Sequence, residues 1–545
     1  MNRLLYGDNL TIMQEMNSAS VDLIYLDPPF NSNRSYNAIY KDETGRPLPD
    51  QIDAFCDLWT LSDEHERVIR QMPVLMREAG IDDETVEFWR LWMNALRSSQ
   101  PTMLAYLSYM VQRLVVMKRL LRPTGSIYLH CDPTASHYIK VMMDGIFGHD
   151  NFRNEIIWKR RYGSTTTTGK ARKFGAITET ILFYAATEQS TFHPQHSFDD
   201  PEYQQYVEKT FKHTDQQGRK YRIADLASPS ERPNLIYEYK GYQPPKKGWA
   251  ISREKMEQWD AEGRLHFPKT KSGRIQRRRF LDELKGKPVQ SLWSDIDMMA
   301  SRSSERMGYD TQKPLALLER IIQASSNEGD LVLDPFCGCA TTLEAAHNLD
   351  RRWIGIDIAI HAIKRVAAIR LGERCHLKQG EDFEVDGVPR TLEGARDLWE
   401  RDKYHFQKWA VEEVDGFVTT KRTADGGIDG RLYFDMPGER DLQSMILEVK
   451  GGKNVTIADF RALHSVLERE EALMAGLITM EPLPDRKKAN FLKLAAEADI
   501  LEIPGSAHDY PKLQILSVPE ILEGRRFDTP TPMGKSESPQ KKIQL

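Results

Sequence analysis

The sequence predicts an α/β protein built on an open, mainly parallel sheet, with a second and smaller α/β domain near its C-terminus. Two apolar runs, 21–26 and 331–333, each end at an aspartate, Asp27 and Asp334, and a third run ends at Asp357. Buried parallel strands are near-continuously apolar, and open sheets bind ligands at the carboxyl ends of such strands. A chain of 545 residues also exceeds what one core usually covers, so two or three domains are expected.

The first strand opens into the turn Asp27-Pro28-Pro29-Phe30. Two prolines fix two φ angles and remove two N–H donors, which leaves carbonyl groups that accept hydrogen bonds. Such a turn suits an amine: the Asp27 carboxylate and the Pro28 carbonyl would hold the two hydrogens of an exocyclic base amino group, and Phe30 would stack on the base. A rigid strand-to-loop turn without a ligand is the competing interpretation.

The second strand enters a loop of small residues, 337–342, and a helical stretch follows from Leu343. This arrangement brings backbone N–H groups and a helix N-terminus close to a ligand. The next apolar run ends at Asp357, which is the spacing of a Rossmann-like nucleotide site whose acid holds ribose hydroxyls. The loop lacks the full G-x-G-x-x-G pattern, so a dinucleotide is disfavoured.

With these motifs in this order, the chain resembles the β-class S-adenosylmethionine-dependent DNA amino-methyltransferases, in which a DPP[YF] catalytic half precedes the cofactor half. Four more stretches agree with that family: LYGDNL at 5–10, LRPTGSI at 121–127, TETILFY at 178–184 and TQKPL at 311–315. The resemblance covers roughly residues 1–385. It departs from the family at Cys337 and Cys339, where Ser, Thr or Gly is more usual.

The resemblance implies a Rossmann-like methyltransferase sheet and two groups of site residues. The catalytic residues would be Asp27, Pro28, Pro29 and Phe30. The residues that bind S-adenosylmethionine would be Asp8, Asn9, Lys313, Asp334, Pro335, Phe336, Gly338, Thr341 and Asp357. The target would be the exocyclic amino group of adenine, because DPP resembles the adenine enzymes and SPP the cytosine enzymes; N4 of cytosine stays open.

The charge pattern indicates that contact with nucleic acid is local. The net charge is −5, so no global positive field attracts DNA. Residues 269–287, however, are strongly basic, and aromatic residues are interleaved upstream, as in the segments 237–240 and 244–249. Basic residues among aromatics suit backbone contact and base stacking, so this region is predicted to contact double-stranded DNA. A solvated helix face is the competing interpretation.

Other features limit the class of protein. Residues 50–120 predict a helical insertion whose Leu107, Met110, Leu114 and Met117 form a core stripe. No apolar run approaches the length of a membrane span, and the N-terminus carries no signal-peptide pattern, so no membrane contact and a cytoplasmic location are expected. The five cysteines form no CxxC pair and no disulfide framework, and a zinc site is disfavoured.

The C-terminal third predicts a second chemistry. Asp429 precedes an apolar strand, and Glu448 and Lys450 lie two apart on another strand, so they share a face. If the strands pair, the two carboxylates could hold Mg²⁺ and the lysine could orient the attacking water, which is an arrangement for phosphodiester hydrolysis. This part resembles the Mrr-type PD-(D/E)XK nucleases, which implies Asp429, Glu448 and Lys450 as catalytic residues and the two acids as metal ligands. An upstream helical acid is not clear, with Gln407, Glu412 and Glu413 as candidates.

The predicted domains are a catalytic half at 1–190 with a helical insertion at about 45–120, a target-recognition region at 191–295, a cofactor half at 296–385, a PD-(D/E)XK nuclease-like domain at 395–525 and a disordered tail at 526–545. Together they predict a DNA methyltransferase fused to a Mg²⁺-dependent endonuclease, acting in restriction-modification or phage defence. A homodimer stays open. Because the domain has no Walker A loop, ATP-driven translocation would need another subunit, so a separate ATPase or restriction subunit also stays open.

Three other functions stay open. The C-terminal domain could be a non-catalytic DNA-binding or partner-docking module, the substrate could be RNA, or the chain could be chiefly a nuclease that uses S-adenosylmethionine as an allosteric ligand.

Overall fold

The computed structural model describes most of the chain. The described residues are 1–29, 35–37, 53–56, 59–160, 174–198, 200–299, 305, 312–360, 362–419, 428–436, 442–452, 455–470, 472–503 and 508–530. Phe30, which the sequence places in the catalytic turn, and most of the predicted tail lie outside these residues.

The described chain forms two compact units, Met1–His193 with Ile296–Leu545 and Pro194–Asp295. The elements before the second unit are β1 (Asn2–Tyr6), α1 (Asn9–Glu15), β2 (Val21–Leu26), β3 (Ser35–Asn37), β4 (Asp53–Cys56), α2 (Asp63–Glu78), α3 (Asp83–Ser99), α4 (Pro101–Leu120), β5 (Leu121–Cys131), α5 (Ser136–Phe147), β6 (Phe152–Lys159) and β7 (Thr178–Ala185).

The second unit contains β8 (His196–Ser197), α6 (Pro201–Thr210), β9 (His213–Thr214), β10 (Lys220–Asp225), α7 (Arg253–Ala261), β11 (Leu265–His266), β12 (Gln276–Phe280), β13 (Lys287–Pro288) and β14 (Leu292–Trp293). A small antiparallel sheet in the order β11-β12-β10-β9 is its centre. The unit has its own core, in which Trp249, Met256 and Ile275 are fully buried.

The first unit continues with α8 (Leu315–Ser325), β15 (Leu331–Asp334), α9 (Thr341–Asn348), β16 (Arg352–Asp357), α10 (Ala368–Arg374), β17 (Phe383–Asp386), α11 (Leu392–Arg401), α12 (Lys403–Glu413), β18 (Phe417–Val418), β19 (Gly430–Phe434), β20 (Gln443–Lys450), α13 (Ile457–Arg469), β21 (Met474–Thr479), α14 (Asp485–Glu497), β22 (Ile500–Leu501), β23 (Tyr510–Pro511), β24 (Leu513–Ser517) and α15 (Val518–Leu522). A π-helical turn, Ala362–Ala367, precedes α10.

The predicted α/β sheet is confirmed. In the first unit its strands lie in the order β6-β7-β5-β2-β15-β16-β1-β17. The six strands from β5 to β17 in that order are parallel, while β6 and β7 pair antiparallel at the other side. All six residues of β2 are buried, which is why its sequence is almost continuously apolar. The carboxyl ends of β2, β15, β16 and β1 therefore meet at one edge.

The helical insertion packs on this sheet through α2, α3 and α4. Helix α2 begins at the N-cap Ser62 and α3 at the N-cap Asp82, and each cap side chain accepts a backbone N–H of its own helix. Helix α4 buries the predicted stripe Leu107, Met110, Leu114 and Met117, each fully inaccessible to solvent, in the core shared with β2 and β5. The insertion is therefore part of the core of this sheet.

The C-terminal segment forms a second sheet in the order β18-β19-β20-β21-β24. The first three strands are antiparallel neighbours, whereas β20, β21 and β24 are parallel to each other. Helices α13 and α14 cover a core that includes Ile446, Phe460, Leu477 and Phe491. Within the described residues, no helix has the length and hydropathy that crossing a membrane requires.

Candidate active site

Asp27 and Asp334 lie at the ends of two neighbouring strands. Strand β2 pairs in parallel with β15, with Leu23 opposite Val332 and Ile24 opposite Leu333. Asp334 is almost fully buried, and burial, with a smaller effect from the charge of Asp27, raises the pKa of its carboxyl to about 7. The sequence placed an acid at each strand end, and the structure brings the two acids to one edge.

The two carboxylate oxygens of Asp27 have different surroundings. Oδ2 accepts a 2.5 Å hydrogen bond from Lys313 Nζ, and both side chains are largely buried. Oδ1 is buried and has no hydrogen-bond partner in the described part of the chain. Pro28 is buried behind it, and Pro29 is partly exposed. A buried carboxylate oxygen without a donor is costly, so this atom is suited to receive an N–H group from a ligand.

The loop after β15 is held by the Asp334 side chain. Its Oδ1 accepts the backbone N–H of Phe336 at 3.0 Å, and its Oδ2 accepts the hydroxyl of Thr342 at 2.5 Å. Gly338 adopts a left-handed backbone with φ of 48°, which a residue without Cβ tolerates at little cost. These bonds hold the loop in a tight turn at the end of β15.

Asp357, at the end of β16, also holds loops together. Its Oδ2 accepts the backbone N–H of Gly338 at 2.9 Å, and its Oδ1 accepts that of Ala359 at 2.8 Å. Burial raises the pKa of the Asp357 carboxyl. Thr341, predicted to contact the cofactor, is buried and its hydroxyl accepts an N–H of the fully buried Arg370 at 3.0 Å. The Thr341 side chain therefore connects the start of α9 to Arg370.

Asp8 and Asn9 begin α1 beside the same edge. Asp8 caps the helix through the backbone N–H of Leu10 at 2.9 Å, and Asn9 Nδ2 donates to the Pro335 carbonyl at 2.7 Å. Arg113 from α4 donates to Asp8 Oδ2 and to Asn9 Oδ1, each at 2.6 Å. The structure thus joins the predicted residues Asp8, Asn9 and Pro335 into one connected group.

Sequence reasoning missed three residues of this region. Arg113 bridges Asp8 and Asn9, Arg370 donates a hydrogen bond to the Thr341 hydroxyl, and Glu179 on β7 is part of the charge network around Lys313. A charged residue within the predominantly apolar helix α4 is a signal that could have identified Arg113. Arg370 and Glu179 carry no comparable sequence signal, because their partners come from distant segments.

In the second unit, basic side chains stack on aromatic rings. The guanidinium of Arg277 lies 4.2 Å from the ring centre of Trp259, and Lys271 Nζ lies 4.0 Å from that of Tyr242. Arg279 on the same strand as Arg277 is exposed. This pattern of cations over aromatic rings, with an exposed arginine beside them, suits contact with a polyanion.

In the C-terminal sheet, Asp429, Glu448 and Lys450 lie together. Asp429 Oδ2 accepts the backbone N–H of Val449 at 2.7 Å, and Lys450 Nζ is 2.6 Å from Glu448 Oε1. Burial raises the pKa of both carboxyls. Asp459, in the first turn of α13, is 3.6 Å from Lys450 Nζ and also caps that helix through Thr456. Among the described residues, no group of three or more His, Cys, Asp or Glu is arranged to hold a metal ion.

Glu412 and Glu413, which the sequence offers as further members of this group, form contacts elsewhere. Glu412 Oε2 accepts the backbone N–H of Ile360 at 3.0 Å. Ile360 lies in the loop after β16, three residues after Asp357. Glu413 forms an ion pair with Lys364. Helix α12 therefore binds the segment that follows β16 through these two side chains, and neither of them completes the cluster around Lys450.

A family model described as DNA methylase, of the N6/N4 methyltransferase type, matches residues 21–368, which include both strand-end aspartates, the second unit and the cofactor loop. The chain belongs to this family. A methyltransferase of this family uses S-adenosylmethionine, and its substrate is DNA.

Relatives of this chain include the type II methyltransferase M.EcaI of Enterobacter cloacae, 33% identical over 264 residues that make up 48% of this chain and 56% of that protein. The StyLTI Mod subunit, from a type III restriction-modification enzyme of Salmonella typhimurium, is 28% identical over 364 residues, 64% of this chain and 50% of that protein. The chain thus spans about half the length of the curated relatives it matches. The crystal structure of the M1.HpyAVI–SAM complex covers 68% of this chain and 99% of its own, at 16% identity and a TM-score of 0.30, too low to support a further conclusion.

Proposed function

We propose that this DNA methylase transfers a methyl group from S-adenosylmethionine to the exocyclic amino group of adenine in double-stranded DNA. The observation that carries the proposal is Asp27 Oδ1, a buried acceptor at the sheet edge beside Asp334 that has no donor among the residues that the structure describes. The partner that fits it is an N–H group delivered by a substrate.

The amino group of a base is out of reach inside a duplex, so the target nucleotide must rotate out of the stack into this site. Asp27 Oδ1 then accepts one amino hydrogen, and the Pro28 carbonyl is proposed to accept the other. Holding both hydrogens turns the nitrogen lone pair away from the ring plane. Phe30 is proposed to stack on the base. The residues act mainly by positioning, which can contribute several orders of magnitude to a bimolecular reaction.

The loop between β15 and α9 fits the cofactor. It offers backbone N–H groups at a tight turn with Gly338 in a left-handed conformation, and Asp357 and Asp8 flank it. We propose that Asp8 and Asn9 lie by the adenine of S-adenosylmethionine, that Asp357 lies by its ribose, and that Asp334, Pro335, Phe336, Gly338 and Thr341 shape the space for its methionine part. When bound, S-adenosylmethionine supplies an electrophilic methyl group.

Adenine is favoured over cytosine by the DPP form of the turn, which resembles that of the adenine enzymes. The relatives M.EcaI, a type II methyltransferase, and the StyLTI Mod subunit of a type III restriction-modification enzyme favour a role in restriction-modification or phage defence, with a partner subunit open.

The test is to express the chain in a host without DNA methyltransferases and to map modified bases by single-molecule sequencing. Wild type and Asp83→Asn, a control at an exposed acid of α3, should modify adenine in one sequence context. Asp27→Asn should reduce transfer about 100- to 1,000-fold. Detection of N4-methylcytosine in place of methylated adenine would show that cytosine is the target. Full modification by Asp27→Asn would refute the role of this residue.

A second activity, Mg²⁺-dependent cleavage of DNA, is favoured by one observation: Asp429, just before β19, lies beside Glu448 and Lys450 at the end of the neighbouring strand β20. The two acids are paired with Val449 N–H and Lys450 and still have oxygens that fit a hard cation. A divalent ion held by Asp429 and Glu448 would activate water, and Lys450 would orient it.

Cleavage is tested on supercoiled plasmid with Mg²⁺, in unmodified and methylated forms, with Lys450→Met beside Lys493→Met, a control at an exposed lysine of α14. Wild type and the control should cut, and Lys450→Met should not. Methyl transfer should persist in all three proteins. Absence of cutting by wild type on either plasmid would leave the C-terminal domain as a binding or docking module.

A further inference from the structure

Lys313 lies at the centre of a buried charge network that the proposed transfer step does not yet use. It was predicted to bind the cofactor, and the structure pairs its Nζ with Asp27 Oδ2 at 2.5 Å. We propose that Lys313, held in place by Glu179, is a positioning residue that fixes the Asp27 carboxylate so that Oδ1 alone faces the target amino group. This inference rests on the proposed methyl transfer and assigns its geometry to two further residues.

The first argument is the geometry of Asp27. Lys313 occupies one oxygen, and the other is buried without a donor in the described chain. A carboxylate without such a partner can rotate about its side-chain bond and exchange its oxygens. The ion pair removes this freedom and leaves one defined acceptor. The side chains are 10% and 16% exposed, so water screens the pair weakly.

The second argument is what holds Lys313. The charges of Asp27 and Glu179 act on its ammonium group and, against the effect of burial, raise the pKa of Lys313. Glu179 is almost fully buried on β7. Its Oε2 accepts a 2.8 Å hydrogen bond from His130 Nε2, and its Oε1 forms an ion pair with Arg160. The lysine therefore stays charged under the attraction of two carboxylates: Asp27, which it contacts, and Glu179, which is fixed on β7 and acts on it through its charge.

The third argument is that the residues around Glu179 are hydrogen-bonded to β2, the strand that ends before Asp27. His130 Nδ1 is 3.0 Å from the hydroxyl of Tyr25, which lies on β2 two residues before Asp27. Tyr25, His130 and Glu179 are all buried. Strands β2, β5 and β7 are thus joined by side chains near the end of β2, and the charge of Glu179 acts on Lys313, which contacts Asp27.

The test measures three quantities for wild type, Lys313→Met, Lys313→Arg, Glu179→Gln and the double variant Lys313→Met/Glu179→Gln. They are the affinity for S-adenosylmethionine by calorimetry without DNA, the single-turnover rate of methyl transfer at saturating cofactor, and the fluorescence of 2-aminopurine placed at the mapped target base. The last reports whether the base leaves the stack and needs no turnover.

We expect Lys313→Met to bind S-adenosylmethionine within twofold of wild type, to lose about 100-fold in single-turnover rate, and to give a weaker 2-aminopurine signal. Lys313→Arg, which keeps the charge, should recover at least tenfold of that loss. Glu179→Gln should lose about tenfold. Because Glu179 acts through Lys313, the double variant should be no slower than Lys313→Met.

Two results would overturn the inference. Loss of cofactor affinity in Lys313→Met, in proportion to its loss of activity, would make Lys313 a cofactor residue. Additive losses in the double variant would separate Glu179 from Lys313. Should Lys313→Met fail to fold, Glu179→Gln and Lys313→Arg still test the same order of effects. If wild type itself modifies no DNA while it binds S-adenosylmethionine, the proposed function fails, which is a different outcome from unequal variants of an active enzyme.

Discussion

Arg113 Nη2 donates a 2.6 Å hydrogen bond to Asp8 Oδ2, and the two residues are 105 positions apart in the chain. Arg113 is 4% exposed and Asp8 36% exposed, so the pair lies at the boundary of the core. The bond connects α4 of the helical insertion to the start of α1, where the cofactor adenine is proposed to lie. The insertion is consequently bonded to the end of the sheet at which we propose that the cofactor binds.

Replacement of Arg113 by methionine should weaken this end of the site. The variant leaves Asp8 and Asn9 without their donor, and we expect an unfolding free energy lower by about 2 kcal/mol, because Asp8 keeps partial contact with water. The affinity for S-adenosylmethionine should fall about tenfold in calorimetry. Arg70→Met, at an exposed position of α2, serves as control and should change neither quantity. Unchanged cofactor affinity in Arg113→Met would separate Arg113 from the site.

Asp334→Asn should change how stability depends on pH. Burial raises the pKa of Asp334 from 3.8 to about 7, so the folded protein holds this proton more tightly than the unfolded chain. The contribution of Asp334 to the free energy of unfolding of the wild type is therefore largest at low pH. That free energy falls as pH rises from about 4 through about 7. The variant lacks the effect, so its melting temperature relative to wild type should increase from pH 5 to pH 8. An unchanged or falling difference in thermal denaturation would contradict the assignment.

Asp27 and Asp334 show what the sequence could predict. Each follows an apolar run, and the parallel pairing of those runs follows from their burial, so their common edge was predictable. Lys313 was recognised by its motif, but its contact with Asp27 depends on where the segment before α8 lies in space. Glu179 and Arg370 depend likewise on contacts between distant segments, which neither periodicity nor spacing records. Strand ends are local properties, whereas their side-chain partners are not.

Glu412 connects the C-terminal segment to the cofactor half, and its removal should show in stability. Its Oε2 accepts the backbone N–H of Ile360 at 3.0 Å, and burial raises its pKa to about 7. Glu412→Ala leaves that N–H without its acceptor and should cost about 1–3 kcal/mol in denaturant unfolding. Glu412→Gln keeps an acceptor oxygen and should cost much less. Equal losses in the two variants would show that the hydrogen bond is not the cause.

Arg277 and Arg279, two apart on β12, should respond differently to alanine. Arg277 packs on Trp259, so Arg277→Ala should lower the melting temperature of the second unit. Arg279 is exposed, so Arg279→Ala should leave the melting temperature unchanged and weaken binding to duplex DNA. If Arg279 contacts a phosphate, the slope of the logarithm of the binding constant against that of salt concentration should decrease by about 0.9. Titrations of the same duplex by fluorescence anisotropy at several salt concentrations, with Arg70→Ala as control, measure this slope. An unchanged slope with unchanged affinity would remove Arg279 from the DNA-binding surface.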